Sequence, residues 1–150
     1  MKIKLAVSDE SYEEIKKFLE GKGIEIDNNA SFLLTETDRY ISHLTVRDSE
    51  NSSKLYISVE DIIYIESFGH TVEVHTLDGI YLSGERLYQL CCILNPQSFV
   101  RISNSVIIAR NKVKQIIPAF SMKFTLEMVN GDKVYVTRSY YNIFKEFFGI

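Results

Sequence analysis

One stretch of the sequence, RISNSVIIARNKVKQI (residues 101–116), concentrates side chains suited to recognition. Arg101, Ser103, Asn104, Ser105, Arg110, Asn111, Lys112 and Lys114 break up two short runs of Val and Ile. In the DNA major groove, Arg matches the guanine edge with a fixed fork of donors, and Asn matches adenine. Phosphates take cations and backbone N–H groups. Residues 101–114 offer both kinds of group on short strand-like segments. Arg138 is a second candidate. It falls where the strand-like VYVT ends and the helix-like SYYNIF begins, so its side chain projects from an edge near the positive end of a helix. His70, after Gly69, is a third. Each has a plainer reading: Asn104 as a turn cap, Arg138 as the cover of a carboxylate, His70 as a loop residue.

Catalytic chemistry finds less support. His70 and His75 lie five residues apart in a strand-like region, which sends them to opposite faces and makes them poor partners for one metal ion. No HExxH, Walker A, GxGxxG or GxSxG pattern occurs, and SGERL carries too little glycine to cradle a phosphate. Cys91 and Cys92 are adjacent in an apolar helical pattern, which reads as a pair of reduced core thiols in a cytosolic protein. No catalytic residue, metal site or cofactor is expected. An enzyme built around His70 and His75 is the weakest of three functional readings.

The chain has 150 residues, enough for one domain with a real core and a possible appendage. Hydrophobic residues make up 45% and charged residues 25%, ordinary for a folded protein. The longest uncharged run, Leu87 to Val100, is too short to span a bilayer and contains Asn95 and Pro96. With no signal-like start, a cytoplasmic location is expected. The net charge of −3 argues against a globally basic protein, but its distribution is uneven. Residues 1–50 and 51–100 each carry −4, whereas residues 101–150 carry +5. Such asymmetry can mark an anion-binding face.

The elements that must position these residues follow from periodicity. MKIKLAVSD alternates like a strand, and SYEEIKKFLEGKG reads as a helix with a capping box from Ser11 to Glu14. SFLLTET and YISHLTV read as further strands, and the polar RDSENSSK (47–54) as a linker. Strands follow in LYIS, IIYIES, TVEVHT and IYL. In SGERLYQLCCILNP, Leu87, Leu90, Cys91 and Leu94 share a helical face, and Pro96 ends it. Five more strands follow: FVRI, SVIIA, VKQII, MKFTLEMV and KVYVT. The last two flank Asn-Gly, a strong hairpin signal. A terminal helix aligns Tyr140, Phe144, Phe147 and Phe148, with Gly149 closing it.

Four segments in register carry a family resemblance: VEDIIYIESFGHTVEVHTLDGIY, the RLYQL helix, FVRISNSVIIARNKVKQI and NGDKVYVTRSYYNIFKEF. Together they resemble the LytTR DNA-binding domains, from about Leu55 to the end of the chain. That family shows an acidic turn with an I-Y-I-E strand, a short helix, an F-x-R-I-H-x-S-x-I-V-N segment and a V-S-R-x-Y before the last helix. The resemblance implies a mostly β (α+β) fold, an elongated arrangement of small sheets with short helices; the pattern of residues 1–50 adds a small α/β segment before it. It also implies that loops, not a helix, read double-stranded DNA. By position, the contacts fall on His70, on Asn104 with Arg101 and Ser105 beside it, and on Arg138. Lys112 and Lys114 are candidate phosphate contacts. In this arrangement Ile102, Val106 and Ile108 would hold the core. Two departures stand out: Ser103 replaces the family's usual His, and Ala109 its usual Asn.

Residues 1–50 lie outside the resemblance and are too short for a phosphoreceiver domain. They are expected to form a dimerisation or sensing element, with residues 51–150 as the DNA-binding domain. The leading expectation is a transcription regulator that binds promoter DNA as a homodimer on repeated half-sites, with a signalling partner possible through residues 1–50. The alternative is a protein-interaction module that uses the same scaffold without specific DNA binding.

Overall fold

The computed structural model describes residues 1–36 and 40–150, which form two compact units, 1–40 and 41–150. The first unit contains β1 (Lys2–Ala6), α1 (Asp9–Gly21), β2 (Glu25–Ile26) and β3 (Leu33–Thr35). Its strands run parallel in the order β2-β1-β3. β1 is central, and Ile3, Leu5 and Val7 are buried at every second position, as the alternation predicts. Tyr12, Ile15 and Leu19 form the half-buried face of α1. The helix starts earlier than the expected capping box. Ser8 is the N-cap, and its Oγ and N–H both donate to Glu36 Oε1, at 2.9 and 3.0 Å. Ser11 therefore sits inside the first turn. The last residue of the SFLLTET segment, Thr37, lies outside the described residues.

The second unit begins at Ile41, ten residues before the expected boundary. YISHLTV supplies β4 (His43–Asp48), which pairs antiparallel with β5 (Lys54–Ser58). The polar segment 47–54 is therefore a hairpin connection. Asp48 Oδ1 accepts from the backbone N–H of Glu50, and Asn51 Oδ1 from that of Ser53, so these polar residues fold the turn. β6 (Tyr64–Phe68), β7 (Thr71–His75), β8 (Ile80–Ser83), α2 (Leu87–Ile93), β9 (Phe99–Arg101) and β10 (Val106–Ala109) follow. They complete a seven-stranded antiparallel sheet in the order β5-β4-β8-β7-β6-β10-β9. β11 (Val113–Ala119), β12 (Lys123–Met128) and β13 (Lys133–Val136) make a separate three-stranded sheet, and α3 (Tyr141–Phe148) ends the chain.

Two cores form on the two faces of the large sheet. Ile65, Ile107 and Ala109 pack with Leu87 and Leu90 of α2 and with its C-cap Leu94. Tyr64, Val106 and Ile108 pack with Phe124, Leu126 and Met128 of the small sheet and with Phe144 of α3. All four residues of β10 are buried, so VIIA shows no polar alternation. Ala109 is one of the two departures from the family pattern, and it lies in the first core. The cysteines do not. Both are exposed, because Leu87 and Leu90, with the C-cap Leu94, already fill the inward stripe of the seven-residue helix. The Asn-Gly hairpin forms between β12 and β13, with Gly131 at φ +89°.

A polar clamp joins the large sheet to that hairpin. Tyr64 Oη donates to Asp132 Oδ2 at 2.8 Å, and His75 stacks on the Tyr64 ring with centroids 4.1 Å apart. His75 Nδ1 lies 3.8 Å from the same carboxylate oxygen, and its Nε2 is buried without a partner among the described residues. Burial holds the His75 pKa below its ordinary value, partly offset by the charges of Glu73 and Asp132.

Phe144 is fully buried, so Phe144→Ala should cost about 3–5 kcal/mol of stability, measurable by urea denaturation of the second unit. The depressed His75 pKa means the unfolded chain takes up this proton more readily than the folded one. Its contribution is fully present above about pH 6.5 and is lost as pH falls through the folded value. The drop in melting temperature between pH 7 and pH 5.5 should therefore be smaller in His75→Phe than in the parent; equal drops would rule out this residue as the cause.

Candidate nucleic-acid interface

Three connections of the second unit converge. The β6–β7 turn carries Gly69 and His70, the β9–β10 connection carries Ser103, Asn104 and Ser105, and a 3-10 turn at Arg138–Tyr140 joins β13 to α3. Backbone bonds tie them together: Ser67 N–H donates to Ser105 O at 2.8 Å, and Thr137 N–H to Ile102 O at 3.0 Å. Strands buried on one or both faces therefore hold all three connections in place, while their tips remain in solvent.

Asn104 lies at the centre. It is exposed and lines two adjoining grooves, one with Gly69, Arg86 and Arg101, the other with Lys133, Thr137 and Ser139. Its Oδ1 accepts from Tyr140 Oη at 3.1 Å, which orients the amide and leaves its N–H₂ outward. Arg101 has a different task from the one its type suggests. Its Nε donates to Ser103 O at 3.1 Å and its Nη2 to Asn104 O, so the guanidinium braces the loop that carries Asn104. Ser103, the other departure from the family pattern, is buried, and its Oγ accepts from the Ser105 N–H at 3.2 Å. A small hydroxyl closes the loop from within, so Ser103 presents no recognition group to solvent. Ser105 Oγ lies 3.4 Å from Ser103 Oγ and is half-buried.

His70 is exposed, and Arg86 Nη2 donates to its Nδ1 at 3.2 Å. A guanidinium can only donate, so Nδ1 is the acceptor and the ring hydrogen lies on Nε2. Arg86 is not among the candidates the sequence offers, since SGERL shows only a glycine-poor helix start. It sits at the start of α2, where Gln89 Oε1 accepts from its backbone N–H at 2.8 Å. The available signal was an arginine at a helix start; its proximity to His70, sixteen residues away in sequence, was not. Arg138 is exposed at the head of the 3-10 turn, so one turn separates it from α3.

Lys112 and Lys114 stand apart from these grooves and line neither of them. Lys112 ends a 3-10 turn whose carbonyl accepts from the Val129 N–H, and Lys114 lies 3.8 Å from Glu127 across the small sheet. The grooves are not uniformly basic either. Glu66 lines one of them, with a carboxyl held above the ordinary range first by burial and then by Glu73 and Asp132. Among the described residues, no cluster of His, Cys, Asp and Glu could hold a metal ion, and no helix is long and apolar enough to cross a membrane.

Basic and amide side chains on loops of a two-faced β scaffold define a class. Residues 52–149 match the family model described as the LytTr DNA-binding domain. The chain belongs to the LytTR DNA-binding domain family. The sensory transduction protein LytT of Bacillus cereus is 29% identical over 126 residues, covering 84% of this chain and 50% of that protein. The transcriptional regulatory protein LytR of Staphylococcus aureus is 27% identical over 124 residues, covering 83% and 50%. The chain thus spans about half the length of these curated relatives. A solved LytTr DNA-binding domain from Bacillus cereus superposes with a TM-score of 0.69 at 24% identity, covering 73% of this chain and 99% of that one. This likeness bears on the fold, which is mostly β with short helices.

If Arg101 braces the loop, Arg101→Lys should loosen it, since an ammonium cannot reproduce two fixed N–H bonds. Amide exchange at Asn104 and Ser105 should accelerate about tenfold, the size of one hydrogen bond's net contribution. Unchanged exchange there would remove the bracing role.

Proposed function

We propose that this chain is a transcriptional regulator that binds double-stranded promoter DNA in a sequence-specific manner. The observation that carries this reading is the convergence of Asn104, Arg138 and the His70–Arg86 pair on connections bound to one another through backbone hydrogen bonds. Specific recognition needs donors held in position before DNA arrives, and loops braced on rigid strands provide that. In this reading Asn104 and Arg138 reach base edges. His70 and Arg86 contact a base or the adjacent backbone, and Ser105 approaches a phosphate. Arg101 positions the central loop. Lys112 and Lys114 lie at the periphery and contact phosphates only.

The protein is proposed to act in the cytoplasm as a homodimer on repeated half-sites, since one module of this size makes few base contacts. The first unit is the proposed dimerisation element or the surface that meets a signalling partner. Residues 1–40 carry a net charge of −3, which suits this unit poorly to DNA.

Fluorescence anisotropy on DNA from the region upstream of the protein's own coding sequence, against scrambled DNA over a salt series, tests the reading. Arg138→Ala should lose about 1–3 kcal/mol on the selected site and little on scrambled DNA. Lys112→Ala should weaken both equally and reduce the salt slope by about 1. Equal affinity of the parent for specific and scrambled DNA, after selection from a genomic fragment pool, would overturn the proposal.

A further inference from the structure

β3 is an open edge of the first unit's sheet. In the strand order β2-β1-β3 it has β1 on one side and no strand on the other. The sequence there, Phe32-Leu33-Leu34-Thr35, carries no charge, and every one of these residues is exposed, Phe32 at 65% and Leu34 at 39%. Sheet edges are ordinarily blunted by lysine, proline or a bulge. β3 has none of these. The opposite edge, β2, is only two residues long and begins with Glu25.

The pairing with β1 fixes which way the backbone groups point. Lys4 registers with Leu33 across the parallel ladder, and its N–H donates to Phe32 O at 2.7 Å. In a strand, the N–H and C=O of one residue point to the same side and those of the next residue to the other. Phe32 and Leu34 therefore bond toward β1, while the N–H and C=O of Leu33 and Thr35 point out of the sheet. These outward groups have no backbone partner among the described residues. Side chains alternate as well. Leu34 registers with Leu5 on the buried side of β1, and Leu33 with Lys4 on the other side.

We propose that β3 is the homodimer contact, and that two chains join by antiparallel pairing of their β3 edges about a two-fold axis through Leu34. A second copy of this strand matches the edge group for group. Leu33 then faces Thr35 of the other copy, and each such pair exchanges both N–H···O bonds. Leu34 meets Leu34 in the closer, non-hydrogen-bonded position, and Phe32 lies diagonal to it on the same face, so the exposed apolar side chains cover one another. No like charges meet on the axis. The nearest charged residue, Glu36, accepts from Ser8 of its own chain. A second copy fits better than a foreign strand because donors, acceptors and apolar side chains are all self-complementary about one axis. The pairing rests on the homodimer reading above and names its surface; it does not depend on what the second unit binds.

Sedimentation velocity of the full chain over a concentration series, alone and with a duplex carrying the selected site, reads the association. Thr35→Pro removes an outward N–H that β1 does not use, at an edge position where proline is tolerated. Leu34→Lys sets like charges against each other on the axis. Both residues are exposed, and far-UV circular dichroism checks the fold. Each variant should raise the dimer dissociation constant at least about tenfold, since Thr35→Pro alone deletes a hydrogen bond on each side of the axis. In a Cys91→Ser, Cys92→Ser background, Leu34→Cys should oxidise to a covalent dimer, because residues opposite one another in this position have Cα atoms about 4.5 Å apart, within disulfide reach. Glu25→Cys, on the far edge, should not. Should either edge variant unfold, the cysteine pair decides. A parent that stays monomeric, free and on DNA, overturns the homodimer reading and the pairing together. A dimer that survives both edge variants with unchanged affinity, or that cross-links no better through Leu34→Cys than through Glu25→Cys, overturns the pairing and leaves the homodimer reading standing.

Discussion

The second unit depends on β10 being buried on both faces. Ile107 and Ala109 enter one core, while Val106 and Ile108 enter the other. A four-residue strand cannot shift by one position without exchanging which side chains serve each core. Its pairing with β6, Ile107 opposite Ile65 and Ile108 opposite Tyr64, repeats the constraint on the neighbouring strand. Two of the three candidate connections hang from the ends of these strands. The Ser103–Ser105 loop enters β10, and the His70 turn leaves β6.

On the proposed reading, the arrangement suits recognition of DNA by short loops. A free loop would lose much of its binding energy in becoming ordered. Here the ordering is done at folding. Arg101 holds two carbonyls of its own loop, Ser103 closes it from inside, and Tyr140 fixes the Asn104 amide from a separate element. The polar residues thus divide by task. Some stabilise the loop, leaving others free to meet a ligand.

Local signals in the sequence were strong wherever a side chain acts on its immediate neighbours. The Asn-Gly hairpin, the Leu87–Leu90–Leu94 stripe and the aromatic face of α3 all follow from periodicity and turn chemistry. Two turns show where such signals fail. RDSENSSK looked like a linker because its Asp and Asn side chains bond within the segment, which is also what a hairpin turn requires. The β11–β12 turn takes positive φ at Ser121 (63°) and Met122 (58°) without a glycine, so no residue announces it.

By itself, then, the sequence determined the element types and the polar residues gathered at 101–105 and 138, because these depend on contacts a few residues apart. Tertiary structure decided their roles. It placed Arg86 beside His70, drew Arg101 inward to brace the Asn104 loop, left Lys112 and Lys114 outside the grooves, and moved the unit boundary to residue 40. The physical reason is range. An arginine's donors are satisfied by whichever acceptors the fold brings within about 3 Å, and those are set by strand order, not by residue type.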